Sequence, residues 1–252
     1  MSNTQLVMGL ETRGLRHALP LQRSHDRPLI MDSEEKHEAF IAHDVPPEIF
    51  DRLLALGWRH FGELFYCYTH VEEPELRHVR PLRVRLENFN RSKSQRRTWN
   101  RNSDLSIELK PLERTAELDA LFDLHKERFS RDLPESLGSF LGEDPAIKPV
   151  DTRQFEIRRD GKLLACSFLD IGENSVSSIY AMFHPEESSR RLGIFTMLLE
   201  LDWAQQNGMT FYYPGYAYRE PSHYDYKKEF RGLEYYDWNK WIVTQPGIPF
   251  TE

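Results

Sequence analysis

The pattern of apolar and polar positions predicts short strands and amphipathic helices from residue 46 onward. Apolar side chains that recur every three or four residues indicate helices, whereas alternation or short aromatic runs indicate strands. The predicted helices cover residues 46–56, 92–102, 116–129, 136–142 and 190–207. The predicted strands cover residues 58–69, 79–89, 105–109, 154–159, 163–171, 176–183, 209–213, 233–238 and 240–243. Residues 1–45 show no steady period, which predicts an irregular N-terminal arm.

Turn residues separate these elements and indicate the fold class. Asp160-Gly161 is a strong hairpin signal between two strands, and Gly208 predicts the end of the last long helix. From residue 105 the predicted order is strand, helix, three antiparallel strands, helix, strand and a closing hairpin. This order is typical of an α+β domain with a mostly antiparallel sheet flanked by helices. We expect that domain over residues 105–252, after the arm and a small N-terminal subdomain over residues 46–104.

Composition limits the classes of protein to which the chain can belong. The 252 residues are 39% hydrophobic, which is enough for a packed core, and carry a net charge of −7. No apolar run approaches the ~20 residues that span a bilayer, and residues 1–25 lack a signal-peptide pattern, so we expect a cytoplasmic protein. Cys67 and Cys166 lie in strand-like runs and are expected to be buried free thiols rather than a metal site.

A local excess of positive charge stands out in this acidic chain. Residues 77–101 contain nine Lys or Arg side chains against one acid, Glu87, a local balance of +8. Residues 90–104 add hydroxyl and amide side chains to these cations, and no acid occurs there before Asp104. Such side chains contact phosphate and sugar, whereas a merely solvated helix face usually mixes both signs of charge. The segment therefore predicts contact with a nucleic acid.

Tyrosines surround a predicted break in the chain near residue 214. Phe211-Tyr-Tyr is a strand-like run, and Pro214-Gly215 is expected to end it. Further tyrosines and lysines follow at Tyr216, Tyr218, Tyr224, Tyr226, Lys227 and Lys228. Aromatic rings interleaved with lysine suit a base or ribose stacked beside a phosphate. The alternative interpretation is a core strand that ends in a turn.

Two further features have both a functional and a structural interpretation. The segment 188–195 joins a strand to a helix N-terminus, where Arg190, Arg191 and Gly193 could bind phosphate as in acyl-CoA N-acyltransferases, or form a charged helix cap. Asp170 ends an apolar strand. It could face a cleft and hold a substrate amine, or accept backbone N–H bonds in the next turn.

Several stretches together resemble one known family. They are "GWRHFG", "RPLRVRLENFNRSKSQRRTWNRNSDL", "LLACSFLDIGENSVSSIYAMFHPE", "RRLGIFTMLLELDWAQQNGMTFYYPGYAY" and "YDYKKEF". They resemble, in the same order from about residue 48 to 238, the arginyl-tRNA–protein transferases, including the bacterial aspartate/glutamate leucyltransferases. The resemblance implies a GNAT-like fold. It also implies transfer of an aminoacyl group from tRNA to the N-terminal amine of a protein or peptide, usually of an acidic residue.

The resemblance, with the residue chemistry, implies a set of site residues. At the reaction centre we expect Asp170, which would orient an amine, together with Tyr216 and Lys227. The residues expected to bind the substrates are Ser178, Tyr180, Tyr213, Gly215, Tyr226, Arg190, Arg191 and Gly193. The residues expected to bind tRNA are Arg91, Lys93, Ser94, Gln95, Arg96, Arg97 and Arg101. Lys227 or Tyr226 would meet a phosphate or a developing oxyanion.

The chain departs from the family pattern in its cysteines. Family members carry cysteine clusters associated with metal or iron–sulfur binding, but the corresponding stretch here, residues 66–79, contains only Cys67. Because such a centre needs several thiolates, we expect no metal or iron–sulfur cofactor. Recognition of an acidic N-terminus is then an open question, as is the donated amino acid, for which arginine is favoured over leucine. The alternatives are an acyl-CoA-dependent N-acetyltransferase and a non-catalytic RNA-binding relative.

Overall fold

The computed structural model describes residues 36–72, 75–128, 136–141 and 148–250. In these residues the α-helices are α1 (Pro47–Ala55), α2 (Lys93–Arg101), α3 (Ala116–Lys126), α4 (Gly138–Leu141) and α5 (Leu192–Gln206). The strands are β1 (His37–Ile41), β2 (Arg59–Phe61), β3 (Leu64–Tyr68), β4 (His70–Val71), β5 (Arg77–Arg85), β6 (Ser106–Pro111), β7 (Asp151–Arg159), β8 (Lys162–Ile171), β9 (Ser175–Phe183), β10 (Phe211–Tyr218), β11 (Leu233–Tyr236) and β12 (Trp241–Val243). Short 3₁₀ helices cover Leu86–Asn88, Pro185–Arg190 and Asp225–Glu229.

The main sheet has the strand order β12-β11-β5-β10-β9-β8-β7-β6, and β4 adds to β5. Neighbouring strands are antiparallel except β9 and β10, which are parallel. A parallel pair needs a long crossover connection, and α5 supplies it. The predicted α+β fold, a mostly antiparallel sheet flanked by helices, is confirmed. The division between residues 104 and 105 stays a prediction, although β5 lies inside this sheet.

Helices cover both faces of the main sheet. On β8, Cys166 and Phe168 pack in the cluster that contains α3, whereas Ala165 and Leu169 pack in the cluster that contains α5. Because successive side chains of a strand point to opposite faces, α3 and α5 lie on opposite sides. The largely apolar sequence of α5 fits this position, since much of the helix is buried.

A small second sheet, β1-β3-β2, lies outside the main one. The residues 58–69, predicted as one strand, form the hairpin β2–β3, because Gly62 at φ 51° makes a turn there. The arm predicted to be irregular contains β1, which pairs with β3, so that part of the prediction is wrong. Residues 1–35 of the arm lie outside the described residues. No helix in the described ranges is both long and apolar enough to cross a membrane.

The pair β9–β10 diverges after a short contact. Phe211–Tyr213 pair with Ser175–Ser177, but both strands continue well beyond this point. The expected break at Pro214-Gly215 is wrong, because β10 runs through it as a bulge against β5. A bulge tolerates the missing N–H of proline, and Gly215 adopts the φ of 91° that it requires. Beyond Ser177 and Tyr213 the two strands are no longer paired, and we call this unpaired stretch beside α5 the opening between β9 and β10.

Candidate functional site

Lys227 lies at the bulge of β10. The 3₁₀ helix Asp225–Glu229 carries it there, and its Nζ donates to the Tyr216 carbonyl at 3.2 Å. A Cβ at position 215 would lie 3.3 Å from this Nζ, so Gly215 permits the close approach. Burial and the nearby Arg59 lower the pKa of Lys227 to about 8, although Glu200 opposes the shift. The Lys227 amine can therefore both hold and release a proton near neutral pH.

Tyr216 points away from Lys227 towards the small sheet. Its hydroxyl donates to the Gly57 carbonyl at 2.7 Å, and its ring packs edge-on against Tyr68 at 5.2 Å. The guanidinium of Arg59 lies 5.4 Å from the ring centroid. Burial raises the pKa of Tyr216 well above its usual value. The backbone carbonyl of Tyr216 therefore contacts Lys227, whereas its side chain connects the main sheet to the small second sheet.

Tyr213 is a core residue rather than part of the opening. It is buried and packs with Phe50 and Leu54. Its neighbour Tyr212 faces α5 on the other side of the sheet, as the alternation of a strand requires. The structure therefore does not bring the Tyr213 ring together with the groups beside α5.

Asp170 lies inside the protein and not at a cleft. Its carboxylate accepts from the Thr152 hydroxyl at 2.7 Å and lies 2.8 Å from Nε2 of His60. Burial disfavours the charged imidazole, but the Asp170 carboxylate outweighs it, and the pKa of His60 is raised. Neither expected contact fits this position. The apolar strand carries the acid inward, where two side chains occupy its oxygens.

Glu200 is the site residue that the sequence analysis did not single out. It lies on α5, is fully buried, and its Oε2 accepts from the Tyr212 hydroxyl at 2.7 Å. Burial raises its pKa to about 7, and the nearby hydroxyls of Tyr212, Ser167 and Ser178 offset part of the rise. The available signal was an acid within the apolar run of this helix. The titratable carboxyl of Glu200 therefore lies beside Ser178, one of the residues predicted to bind the substrates.

The two remaining predicted tyrosines lie in different surroundings. Tyr226 is 42% exposed and lies near enough to Glu200 to sense its charge. Tyr180 stacks on Phe140 with ring centroids 4.5 Å apart. Burial raises the pKa of the Tyr180 phenol to about 12, so this phenol stays protonated at neutral pH.

The N-terminus of α5 meets α2. Arg191, the N-cap residue at φ 56°, donates to the Ser94 hydroxyl at 2.9 Å. Arg190 instead forms ion pairs with Asp104 and Glu187, at 2.8 and 2.9 Å. Its charge is already balanced by two carboxylates, so of the two arginines Arg191 is the one available to an external anion. Gly193 lies against the Phe183 ring. A Cβ added at position 193 would lie 3.2 Å from a carbon of that ring.

The basic helix α2 starts at a complete capping box. The Ser92 side chain accepts from the Gln95 N–H, and the Gln95 side chain accepts from the Ser92 N–H. Arg91 pairs with Asp202 of α5 and stacks on Trp99 at 3.6 Å. These two predicted tRNA-binding residues, Arg91 and Gln95, therefore hold the helix in place.

Five exposed cations on this face have no carboxylate partner among the described residues. They are Lys93, Arg96, Arg97, Arg101 and Arg191. Arg96 donates to the Arg91 carbonyl at 2.6 Å and Arg101 to the Ser189 carbonyl, so two of the five are oriented by backbone contacts. We call this set the basic face. It can bind an extended polyanion and combines two segments that are about 90 residues apart in the chain.

The residues that correspond to the family's cysteine cluster do not fit a metal or iron–sulfur centre. Cys67 is buried, and burial raises the pKa of its thiol to about 11, which disfavours the thiolate that binds metal. Over the described residues, no group of three or more His, Cys, Asp or Glu side chains is placed to hold a metal ion.

Comparisons with known proteins agree with the sequence resemblance. A profile of the family "Arginine-tRNA-protein transferase, C terminus" matches residues 120–237. The aspartate/glutamate leucyltransferase of Hahella chejuensis is 31% identical over an alignment of 212 residues, which covers 79% of this chain and 85% of that protein. The protein of the same name from Xylella fastidiosa strain M23 is 31% identical over 81% of this chain and 82% of its own length.

Solved structures with a similar chain path are more distant. L-PGS from Bacillus licheniformis has a TM-score of 0.40 and 15% identity over 73% of this chain and 53% of its own. A GCN5-related glucosamine N-acetyltransferase region of a fungal enzyme has a TM-score of 0.44 and 15% identity, over 71% of this chain and 20% of its own. On the sequence comparisons, the chain belongs to the arginyl-tRNA–protein transferase family of aminoacyltransferases.

Proposed function

We propose that this protein transfers leucine from leucyl-tRNA to the N-terminal amine of a protein or peptide that begins with Asp or Glu. The observation that carries the proposal is the 31% identity to proteins named aspartate/glutamate leucyltransferase over 82–85% of their length. Leucine takes the place of arginine as the first donor to test, because those relatives are named for leucine. An enzyme of this kind works where charged tRNA is found, so a cytoplasmic location is part of the proposal.

The basic face supports the tRNA part of the proposal. An exposed arginine or lysine without an internal carboxylate partner can neutralise a phosphate without first breaking an ion pair. Arg191 extends this charge to the start of α5, where free backbone N–H groups also favour an anion. We therefore assign the basic face to the tRNA backbone and the start of α5 to phosphates near the acceptor end.

The chemistry asks mainly for positioning. An aminoacyl ester is already activated, and an α-amine with a pKa of about 7.7–8.0 is partly neutral at pH 7. Holding the amine against the ester supplies most of the rate acceleration. Lys227 has no carboxylate in an ion pair among the described residues, so its ammonium can meet the oxyanion that develops as the amine attacks.

The buried acids of the described residues offer an arginine side chain few partners, which supports leucine as the donor. An arginine side chain needs carboxylates that face its pocket. Three of the four buried acids, Glu156, Asp170 and Glu234, are already paired with internal partners. The remaining one, Glu200, is the only buried acid of the described residues left for such a contact. No metal or iron–sulfur cofactor is part of the proposed reaction.

The test is a transfer assay with defined donors and acceptors. The purified protein is incubated with leucyl-tRNA or arginyl-tRNA and with peptides that begin with Asp, Glu or Ala, and the products are identified by mass spectrometry. We expect leucine on the Asp and Glu peptides, and none on an N-acetylated Asp peptide. A parallel incubation with acetyl-CoA examines the N-acetyltransferase alternative. Acetylation without aminoacyl transfer would overturn the proposal.

A further inference from the structure

The buried acids of the described residues are paired with one exception. Glu156 binds Lys110 and Arg158, and Glu234 binds Arg83 and Arg85. Asp170 binds His60 and Thr152. Burying a carboxylate without such partners is costly, so each of these acids has a structural explanation.

Glu200 lacks that explanation. It is 0% exposed and has no ion-pair partner among the described residues; the Tyr212 hydroxyl donates to its Oε2, and no donor meets full hydrogen-bond geometry at Oε1. The hydroxyls of Ser167 and Ser178 lie near enough to affect its charge. A leucine would fit the apolar run of α5 without the desolvation cost. A fully buried acid with a vacant acceptor oxygen is therefore more consistent with proton transfer than with packing.

Ser178 connects Glu200 to the opening between β9 and β10. Its side chain lies beside both the Glu200 carboxylate and the Tyr212 hydroxyl, and the residue is only half-buried. Lys227 and Tyr226 lie close enough to interact electrostatically with the same carboxylate. Ser178 can therefore reach both the buried acid and a bound molecule.

We propose that Glu200 accepts the proton released by the attacking amine, through the hydroxyl of Ser178. The inference rests on the proposed aminoacyl transfer. Glu200 does not touch the substrate, so it is a positioning residue for the proton, whereas Ser178 contacts the amine.

The step balances without a co-reactant. The amine nitrogen forms a bond to the carbonyl carbon of the ester, and the bond from that carbon to the ribose oxygen breaks. The proton lost by nitrogen passes to Ser178 as the Ser178 hydrogen passes to Glu200. Reversal of this relay returns a proton to the ribose oxygen, which leaves as a hydroxyl. The net change is one proton moved from the amine to the ribose.

Several charged or titratable groups interact with Glu200 and set the pH at which it acts. Tyr212 of β10 hydrogen-bonds to it, and Tyr226 and Lys227 of the 3₁₀ helix Asp225–Glu229 lie near it. Cys166 and Asp170 interact with its charge from the opposite face of β8. Burial is the largest influence and raises the pKa of Glu200 to about 7. Below that pH the carboxyl is protonated and cannot accept a proton.

The test compares pH profiles of kcat/KM for aminoacyl transfer. Because the peptide amine itself titrates at about pH 7.7–8.0, each rate is first divided by the neutral fraction of that amine. The corrected wild-type profile should still fall below about pH 7. Glu200→Gln should lower kcat/KM at pH 8 by about 100-fold or more, the usual scale of general base catalysis, and should abolish that acid limb. Ser178→Ala should have a similar effect, and the double variant should be no worse than either single one. Glu117→Gln, the same change on the opposite face, should keep the wild-type profile.

Tyr212→Phe separates this inference from a structural role. Removing the donated hydrogen bond disfavours the carboxylate, so the acid limb should move to higher pH while activity above it remains. This variant also serves if Glu200→Gln does not fold. Difference infrared spectra should show a protonated carboxyl band that disappears near pH 7 and is missing in Glu200→Gln. Transfer with an unchanged acid limb in these variants, or no titrating band, would overturn the inference alone. A wild type that transfers nothing would overturn the proposed function and this inference together.

Discussion

The basic face makes a quantitative prediction about tRNA affinity. Arg96 and Arg97 lie on the exposed side of α2, and neither forms an ion pair with a carboxylate among the described residues. Changing both to Gln removes two charges and leaves the capping box of α2 intact. Since no internal ion pair is broken, stability should change little, and the effect should appear in the salt dependence of binding.

The magnitude follows from counterion release. Each neutralised phosphate contributes about −0.9 to the slope of log K against log salt for a duplex and about −0.7 for a single strand. Five contacts predict a slope of about −3.5 to −4.5, which is a loss of roughly 130- to 500-fold in affinity between 50 and 200 mM salt. Removing two contacts should reduce the slope by about 1.4 to 1.8, so that the same salt step costs roughly 20- to 40-fold.

Fluorescence anisotropy with labelled tRNA at five or more salt concentrations measures this slope. The matched control is the double variant Arg114→Gln with Arg153→Gln, because it removes the same net charge from two partly exposed side chains that are paired with Asp119 and Asp151. The control should keep the wild-type slope. Equal slopes for the two double variants would refute the assignment, since net charge and not the basic face would then govern binding.

Three further outcomes are expected. Gly215→Ala should cost about 1–3 kcal/mol in thermal unfolding because of the φ of 91°, and should lower the single-turnover rate because the new methyl presses on Lys227; an unchanged rate would argue against a role for that amine. Ser92→Ala should cost about 1 kcal/mol in urea unfolding by removing a cap, and a cost near zero would contradict the capping box as a stabilising element. Because Asp170 raises the pKa of His60, the protonated His60 stabilises the folded state fully below pH 6.5, and this stabilisation is lost as pH rises through the folded-state pKa. The difference in unfolding free energy between the wild type and His60→Asn, measured in urea titrations, should therefore shrink as pH rises. A difference that grows with pH would contradict a raised pKa of His60.

Local signals predicted the elements that depend on local chemistry. Ser92 opens the predicted helix 92–102, where a hydroxyl can satisfy free N–H groups, and it is the N-cap of α2. Asp160-Gly161 predicted the β7–β8 hairpin because both residues adopt positive φ, at 50° and 81°. In both cases the determining interaction lies within a few residues, which is what a sequence pattern can report.

Strand continuity at Pro214-Gly215 depended on a neighbour that the local sequence does not identify. Proline and glycine ordinarily end a strand, and that rule predicted a break. The ladder continues because β5 lies alongside and accommodates a bulge between Tyr212 and Gly215. Since β5 is more than 120 residues earlier in the chain, the pairing could not be deduced from the residues around the bulge.

The two acids Asp170 and Glu200 show why chemistry is harder to predict than fold. Asp170 attracted attention because it ends a strand, yet Thr152 and His60 occupy its oxygens, and the pair has a structural role. Glu200 lies in the apolar run of α5, a helix that the pattern predicted over residues 190–207. Burial alone does not distinguish these two carboxylates. They differ in the number of hydrogen-bond and ion-pair partners, and those partners come from other helices and strands. The functional signal is therefore an unbalanced buried charge, which only the three-dimensional arrangement reveals.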